Sequence, residues 1–589
     1  MICRRRCDTD AVKCHVVAKT DTIVDNNNSE DIDANQEIRV IAGAKDKTRH
    51  REKDGDGSNI PYDDIPIRMI GDNERINYDS LDKNTDTDLH IKKNLTEIQR
   101  FYYGKNVLIT GATGFLGKIL MEKLLRCCPG VENLYLLVRQ KRGKDIYTRV
   151  DEIFDDPVFD RLKKEVPKFR HKLVVIPADC EVAGLGLNIN DQQLLTEKVN
   201  IIFHSAATVK FDEHLRAALN TNVQAPLHLL RLARDMKHLD VLMHISTAYS
   251  NSHLSFIEEK YYPCETECEK LQLELGKLSD EDINRELPRI LGAWPNTYTF
   301  TKALAEKELR ANADGVPIGI FRPAIVISTA KEPLKCWLDN MYGPTGVVVG
   351  SASGILRTLQ CDVGVSADIV PVDYVVNCLM VAAADVHSAY NTRQPPKEPP
   401  IYNYVSSVEN QITWGDFLSH NIAQVDIHPL SNAIWYITLT LTKSSIMYGT
   451  YKILFHLIPA ALVDALAAGL GRKPKMLKVY KKIHKFSSVI SYFCTKEITF
   501  CNQRTQVLWK KTSEVDRKIF PFSMREVDWA DYFGHYMAGV RRYLCKESDD
   551  TLPQAKIKWK RLYYLHQIVR VIFYAFAVYA LWSVLSAVL

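Results

Sequence analysis

The chain has 589 residues, of which 46% are hydrophobic and 25% charged. That is globular composition, and it excludes a disordered, fibrous or disulfide-scaffold protein. Lys and Arg total 76 against 71 Asp and Glu, a net charge of +5, too small an excess for a dedicated nucleic-acid binder. Fourteen cysteines at irregular spacing fit free thiols in a reducing compartment. Cys264 and Cys268 come nearest to a metal pair, but no second Cys/His pair follows at zinc spacing, so no metal site is expected.

Residues 1–97 are rich in Asp, Asn and Lys and lack apolar periodicity. Such a stretch cannot bury enough apolar surface to repay its ordering, and a disordered extension is expected. The start, MICRRRCDTDAVKCHVV, lacks the apolar run of a secretory signal. The DGDG at 54–57 hints at a calcium loop, but the bidentate Glu is missing at its offset.

From Gly104 the pattern changes. Runs at 107–110 (VLIT), 134–138 (LYLLV), 172–177, 199–204, 241–246 and 316–322 read as short strands buried on both faces. Helical periodicity fills 115–126, 146–154, 191–198, 215–236 and 297–312 between them. Alternating strands and helices predict an α/β fold with a doubly wound parallel sheet. The proline-rich QPPKEPP at 394–400 is a spacer, and 402–405 is a candidate last strand. From Trp414 the alternation stops, and a smaller, mainly helical domain is expected to about residue 546. It holds two apolar stretches, 433–441 and 446–470, read as buried or interfacial helices. Lys452, His456, Pro459 and Asp464 in the second argue against a spanning segment. The chain ends in 571–589, nineteen residues without a charge, behind Lys556, Lys558, Lys560 and Arg561. As a helix this run is about 28 Å long, close to the hydrocarbon thickness of a bilayer, and the basic flank predicts a cytosolic catalytic portion. The expected division is 1–97 extension, 98–412 dinucleotide-binding domain, 413–546 helical domain and 563–589 membrane anchor.

Three constellations carry chemistry. Gly111, Gly114 and Gly117 in TGATGFLG follow a strand and open a helix. In that context the first glycine permits the tight turn, the second lets backbone approach a pyrophosphate, and the third lets helix and strand pack closely. The phosphates would sit on the free N–H groups of the helix start. The second strand ends in Arg139, with Lys141 and Arg142 behind it, where a carboxylate would select NAD; cations there favour the 2′-phosphate of NADP. Tyr298 and Lys302 are four apart, on one face of a predicted helix. An ammonium beside the phenol would lower its pKa and fit it to pass a proton to a carbonyl oxygen. Ser246 and Thr247 close the fifth strand, at the sheet edge where ligands bind.

Together these pieces resemble the extended short-chain dehydrogenase/reductase superfamily, with its Rossmann sheet. In order, GATGFLGK, YLLVRQKRG, HSAATVKFDE, NTNVQAP, HISTAYSN, PNTYTFTKALAE, FRPAIV and DIVPVDYVVN resemble the fatty acyl-CoA reductases, as does 455–544 their C-terminal domain. The resemblance implies an NADPH-dependent, four-electron reduction of long-chain acyl-CoA to a primary alcohol with release of CoA. It implies Tyr298 as proton donor and Lys302 as the residue holding the nicotinamide ribose. Thr247 would orient the carbonyl, with Ser246 next, and Asn222 would relay protons. Asp179 is implied near the adenine and Pro323 along the nicotinamide, while Thr113, Phe115, Leu116 and Ala206 complete the cofactor surface. Alternatives are a reductase stopping at aldehyde, an extended reductase or epimerase acting on a sterol or nucleotide sugar, and a dinucleotide-sensing scaffold without activity. Membrane lipid is an expected partner, at the endoplasmic reticulum or else the peroxisomal membrane, and a homodimer is compatible. Three departures stand out. Ser246 and Tyr298 lie 52 residues apart, and the polar insert 255–291 between them either covers an acyl pocket or is a surface excursion. Lys335 and Cys336 replace a Pro-Gly pair that the family often has before Trp337, which predicts a less constrained loop. The N-terminal extension is longer than members usually carry.

Overall fold

The computed structural model describes residues 93–140 and 143–588. Most of the expected N-terminal extension, the DGDG and Arg142 lie outside the described residues. The folded chain opens slightly ahead of the expected boundary. Thr96 caps the short helix Glu97–Phe101 in a capping box with Gln99, and the buried Tyr102 that follows donates its hydroxyl to the Met380 carbonyl at 2.8 Å.

Seven strands form the sheet: β1 (Asn106–Thr110), β2 (Asn133–Val138), β3 (Leu173–Pro177), β4 (Ile201–His204), β5 (Val241–Ile245), β6 (Ile318–Pro323) and β7 (Ile401–Tyr404). Their order is β7-β6-β5-β4-β1-β2-β3, with every neighbouring pair parallel. The winding reverses between β1 and β4, and the glycine turn leaves the carboxyl end of β1 at that switch point. Strand side chains alternate between two cores: Val107 and Ile109 join one, and Leu108 between them joins the other. Burial on both faces is why these strands read as continuous apolar runs.

The crossover helices fall where their periodicity places them, with one difference. The expected continuous helix 215–236 is Leu215–Leu219 and Ala225–Arg234, joined by a π-turn at Asn220–Gln224. The insert 255–291 contains the helices Cys268–Lys277 and Asp280–Leu291. Leu271, Leu275, Ile283 and Leu291 anchor it to the core on one face of the sheet.

Beyond β7 the chain is mainly helical. Helices Trp414–Val425, Met476–Thr495 and Trp529–Gly539 pack into the other core. Two short parallel pairings stitch the C-terminal region to the sheet domain: Thr440–Thr442 with Thr358–Gln360, and Thr499–Phe500 with Phe256–Ile257. The apolar stretch 433–441 is therefore not the helix its composition suggests; it runs as extended chain into that first pairing. The stretch after it is helical, and Ser445–Gly469 is long and apolar enough to cross a membrane, as is Asp549–Ala587.

The loop before Trp337 is held tightly, contrary to the expectation. Asp373 accepts the backbone N–H groups of Ala330, Lys331 and Glu332 at 2.8–3.0 Å, and Glu332 binds Lys123 and Arg126. Cys336 has φ +57°, a left-handed conformation that suits the glycine it replaces.

Candidate active site

The carboxyl ends of β1 and β4 set the glycine turn. The Thr110 hydroxyl accepts the Ala206 N–H at 3.2 Å and lies 2.7 Å from His204 Nδ1, and Ser205 Oγ donates to the Thr110 carbonyl at 2.9 Å. Between these ends Gly111 turns at φ +72°, and a Cβ on it would fall 2.7 Å from the Ala206 nitrogen. Gly117 has no room either, since a Cβ there would sit 2.2 Å from the Gly111 carbonyl oxygen. The helix Phe115–Cys127 starts directly after this cradle, with Gly114 as its N-cap. No side chain caps that end, so its first N–H groups face the cavity, as phosphate binding requires.

Arg139, at the end of β2, is half exposed and is bound by Glu181 at 2.5 Å, with Asp179 at 4.0 Å. Asp179 also accepts the Glu181 N–H at 3.0 Å. The expected cation is present, but carboxylates already hold it.

Tyr298 and Lys302 stand on the helix Thr297–Ala311, capped by Asn296. Both face one cavity, but they are not a coupled pair. The Lys302 ammonium donates to the Ile245 carbonyl at 2.8 Å. Burial brings its pKa down to about 8, against the upward pull of Glu306. Burial pushes the Tyr298 phenol up to about 12, against a hydrogen bond with the Thr247 hydroxyl. The expected depression of the tyrosine by the lysine is therefore corrected: the ammonium is turned to the backbone and Thr247 is the phenol's partner. Asn222, in the π-turn, accepts the Thr208 N–H at 3.0 Å and donates to the Thr208 carbonyl and to Thr301 Oγ1. It ties the loop after β4 to the tyrosine helix, and its amide is occupied by these contacts. π-turns inside helices recur at functional sites.

Ser246 does not point at the phenol. Its hydroxyl donates to Glu306, whose carboxylate also binds Arg322 at 2.5 Å, with both side chains almost fully buried. Arg322 also donates to the carbonyls of Glu258 and Lys260. This buried group lies behind Lys302. Glu306 carried a readable signal, four residues beyond Lys302 and eight beyond Tyr298 on one helix face, but the sequence reading passed over it.

A single cavity of about 1240 Å³ joins these parts. Gly111, Thr113, Phe115 and Leu116 line it together with Thr247, Tyr298, Lys302 and Pro323 and with apolar side chains such as Val347, Phe417, Leu439 and Phe486. Phe211 packs against Tyr298 at 5.7 Å and against Phe493 at 5.5 Å, so the C-terminal region supplies part of the wall beside the phenol. No residue of the insert 255–291 lines the cavity; its first residues instead pair with Thr499–Phe500 and hold Arg322.

Two family models, each described as Male sterility protein, match residues 109–379, as an NAD-binding domain, and 455–547, as a Sterile domain. Among curated proteins, fatty acyl-CoA reductase wat of Drosophila melanogaster is 39% identical over 494 residues, spanning 84% of this chain and 94% of its own. Human fatty acyl-CoA reductase 1 is 37% identical over 78% of this chain and 89% of its own. This chain belongs to the fatty acyl-CoA reductases. A nicotinamide-dependent reductase of acyl-CoA thus fits the cradle, the tyrosine and the apolar cavity found together. Among solved structures, a reductase domain of a nonribosomal peptide synthetase from Mycobacterium tuberculosis superposes with TM-score 0.51 at 20% identity, over 78% of this chain and 95% of that one, a likeness of fold. Within this reductase His204 is kept neutral, burial with the nearby Lys302 charge pushing its pKa down to about 3. It stacks on His244 at 5.4 Å as an uncharged floor beneath the site.

Proposed function

We propose that this reductase converts long-chain acyl-CoA to the primary alcohol with NADPH, at a membrane that holds its C-terminal helix. The observation that carries the reading is that one cavity is lined by the glycine cradle, by Thr247 and Tyr298 and by a large set of apolar side chains. The chamber suits an alkyl chain, each methylene of which gains about 0.8 kcal/mol on leaving water. The nicotinamides of two NADPH, bound in succession, would each supply one hydride to the carbonyl carbon. Tyr298 would hold the carbonyl oxygen with Thr247 and give it a proton, and with CoA gone the aldehyde would meet the same pair for a second reduction. Lys302 would turn from the Ile245 carbonyl to the nicotinamide ribose and, as an ammonium beside the phenol, draw its pKa down toward the working range. Ser246 would act indirectly, through Glu306, and Asn222 by holding the loop after β4 against the tyrosine helix. Gly111, Gly114, Gly117, Ala206, Pro323 and Asp179 would line the dinucleotide. Arg139, with Arg142 outside the described residues, would exchange a carboxylate partner for the 2′-phosphate.

In this reading residues 98–412 carry the dinucleotide site, 413–546 close the acyl chamber and 563–589 anchor the chain. The helix Leu552–Val588 has 37 residues, about 56 Å at 1.5 Å each, and its last turns expose Phe573, Phe576, Leu581 and Trp582. The basic flank supports a cytosolic catalytic part, at the endoplasmic reticulum or peroxisomal surface. Mass spectrometry of products after incubation with palmitoyl-CoA and NADPH tests the chemistry. Alcohol is expected; aldehyde that accumulates without alcohol would overturn the four-electron reading. Alkaline carbonate extraction tests the anchor: the full chain should stay in the membrane and a chain ending at Arg561 should be released.

A further inference from the structure

The helix Ser445–Gly469 presents two opposed faces. His456 and Ala460 are fully buried and Asp464 nearly so, at spacings of four that place them on one side. His456 Nε2 accepts the Arg357 N–H at 2.9 Å, and the Asp464 carboxylate accepts three backbone N–H groups, of Lys475, Met476 and Leu477, at the start of the next helix. His456 and Asp464, two of the residues that argue against a membrane span, thus have partners in the protein body. Leu462 and Leu466 stand on the other side, 62% and 69% exposed. A helix with this division lies along an interface rather than through it.

Three further features identify the interface as a bilayer. The stretch that follows, from Arg472 to Lys485, carries seven cations and no acid, which is complementary to anionic headgroups. The helix is also linked to the C-terminal anchor helix through side chains. His456 contacts Arg357, the Arg357 guanidinium lies over Trp435 at 5.3 Å, and Trp435 donates to His566 at 3.2 Å, five residues before the uncharged run begins at Val571. Finally, Met476–Thr495, the helix carrying the cations, is a wall of the cavity through Phe486, Val489 and Ile490.

We infer that Ser445–Gly469 lies in the plane of the bilayer surface, its outer face among the acyl chains and the basic turn at the headgroups, holding the mouth of the apolar chamber against lipid. Acyl chain and alcohol then pass between membrane and site without crossing water. This rests on the membrane reading above and adds a second contact, carried by the catalytic body itself.

The test uses the full chain in vesicles of phosphatidylcholine and phosphatidylserine, with acyl chains brominated either near the headgroup or near the chain end. In Leu466→Trp the added indole emission should be quenched most by the shallow bromine. Trp582→Phe, compared with the parent, reports the tail in the same vesicles. Emission at 466 that no bromine quenches, while the Trp582 component is quenched, overturns the in-plane contact and leaves the anchor standing. Deepest quenching at 466 by the chain-end bromine overturns it in favour of a span, and cross-linking of two chains through this face, in favour of a second copy. An unquenched Trp582 removes the anchor, and the signal at 466 then decides the surface contact alone. Leu462→Glu with Leu466→Glu should stay with the vesicles and keep its turnover of water-soluble octanoyl-CoA. It should lose about tenfold on palmitoyl-CoA presented in vesicles; equal turnover of both substrates overturns the delivery role.

Discussion

Replacing Glu306 by Gln removes one charge from the most deeply buried ion pair at the site. Arg322 and Glu306 are 0% and 3% exposed and 2.5 Å apart. Breaking such a pair costs about 3–5 kcal/mol, mostly because the surviving charge is left buried without compensation. Arg322 keeps the carbonyls of Glu258 and Lys260, and the Gln amide oxygen still accepts one hydrogen bond, so the lower end of that range, about 3 kcal/mol, is expected. For a domain of this size that is a fall in melting temperature of roughly 4–5 °C. The variant also has a kinetic signature. Glu306 holds the Lys302 pKa up against burial, at about 8; without it the ammonium is lost at lower pH. If the charged form is needed to hold cofactor and tune Tyr298, kcat/KM falls as pH rises through that pKa, and the alkaline limb moves to lower pH in Glu306→Gln. Stability has the opposite sign. A lysine depressed in the folded state binds more protons when unfolded, so its cost lies below the folded pKa and is relieved as pH rises from about 8 toward its ordinary value near 10.4. Calorimetry and a pH series of kcat/KM read both effects. Glu306→Leu with Arg322→Met separates them, because apolar replacement of both partners restores stability but leaves the limb displaced. A Glu306→Gln protein with unchanged melting and an unmoved limb would refute the reasoning.

Tyr298→Phe removes the proton donor while keeping the ring against Phe211. Steady-state rates should fall about 10²–10⁴-fold while NADPH still binds by fluorescence titration. Gly117→Ala forces a methyl to 2.2 Å from the Gly111 carbonyl, and overpacking of this kind costs about 1–3 kcal/mol. Its main expression should be a raised KM for NADPH with the acyl-CoA KM little changed. Arg139→Asp should weaken NADPH by roughly tenfold while NADH is spared, since only NADPH carries the phosphate and the site is half exposed; equal losses would assign Arg139 a structural part.

The strands were legible because a doubly covered sheet buries both faces, so VLIT and LYLLV admit no polar alternation. The glycine turn was legible because two of its positions exclude a Cβ on steric grounds alone. Composition misled at 433–441, where apolar residues serve a pairing with Thr358–Gln360, and period could not reveal the π-turn that seats Asn222. Side-chain spacing also gave no warning that Lys302 rests on the Ile245 carbonyl, since backbone acceptors leave no trace in sequence.

Ser246 and Thr247 show how far local rules reach. Both hydroxyls stand at the end of β5, and composition alone makes them equivalent. Thr247 is extended, at φ −150° and ψ 146°, and neighbours on extended backbone point to opposite sides. Only one of the two can therefore meet a substrate carbonyl, and the other must go into the protein. The burial of Arg322 decides which: Glu306 has to be beside it, and Ser246, facing inward, gives that carboxylate another donor. Thr247 is left on the side of Tyr298. The proposal that Thr247 orients the carbonyl thus rests on where a buried arginine must find its charge partner.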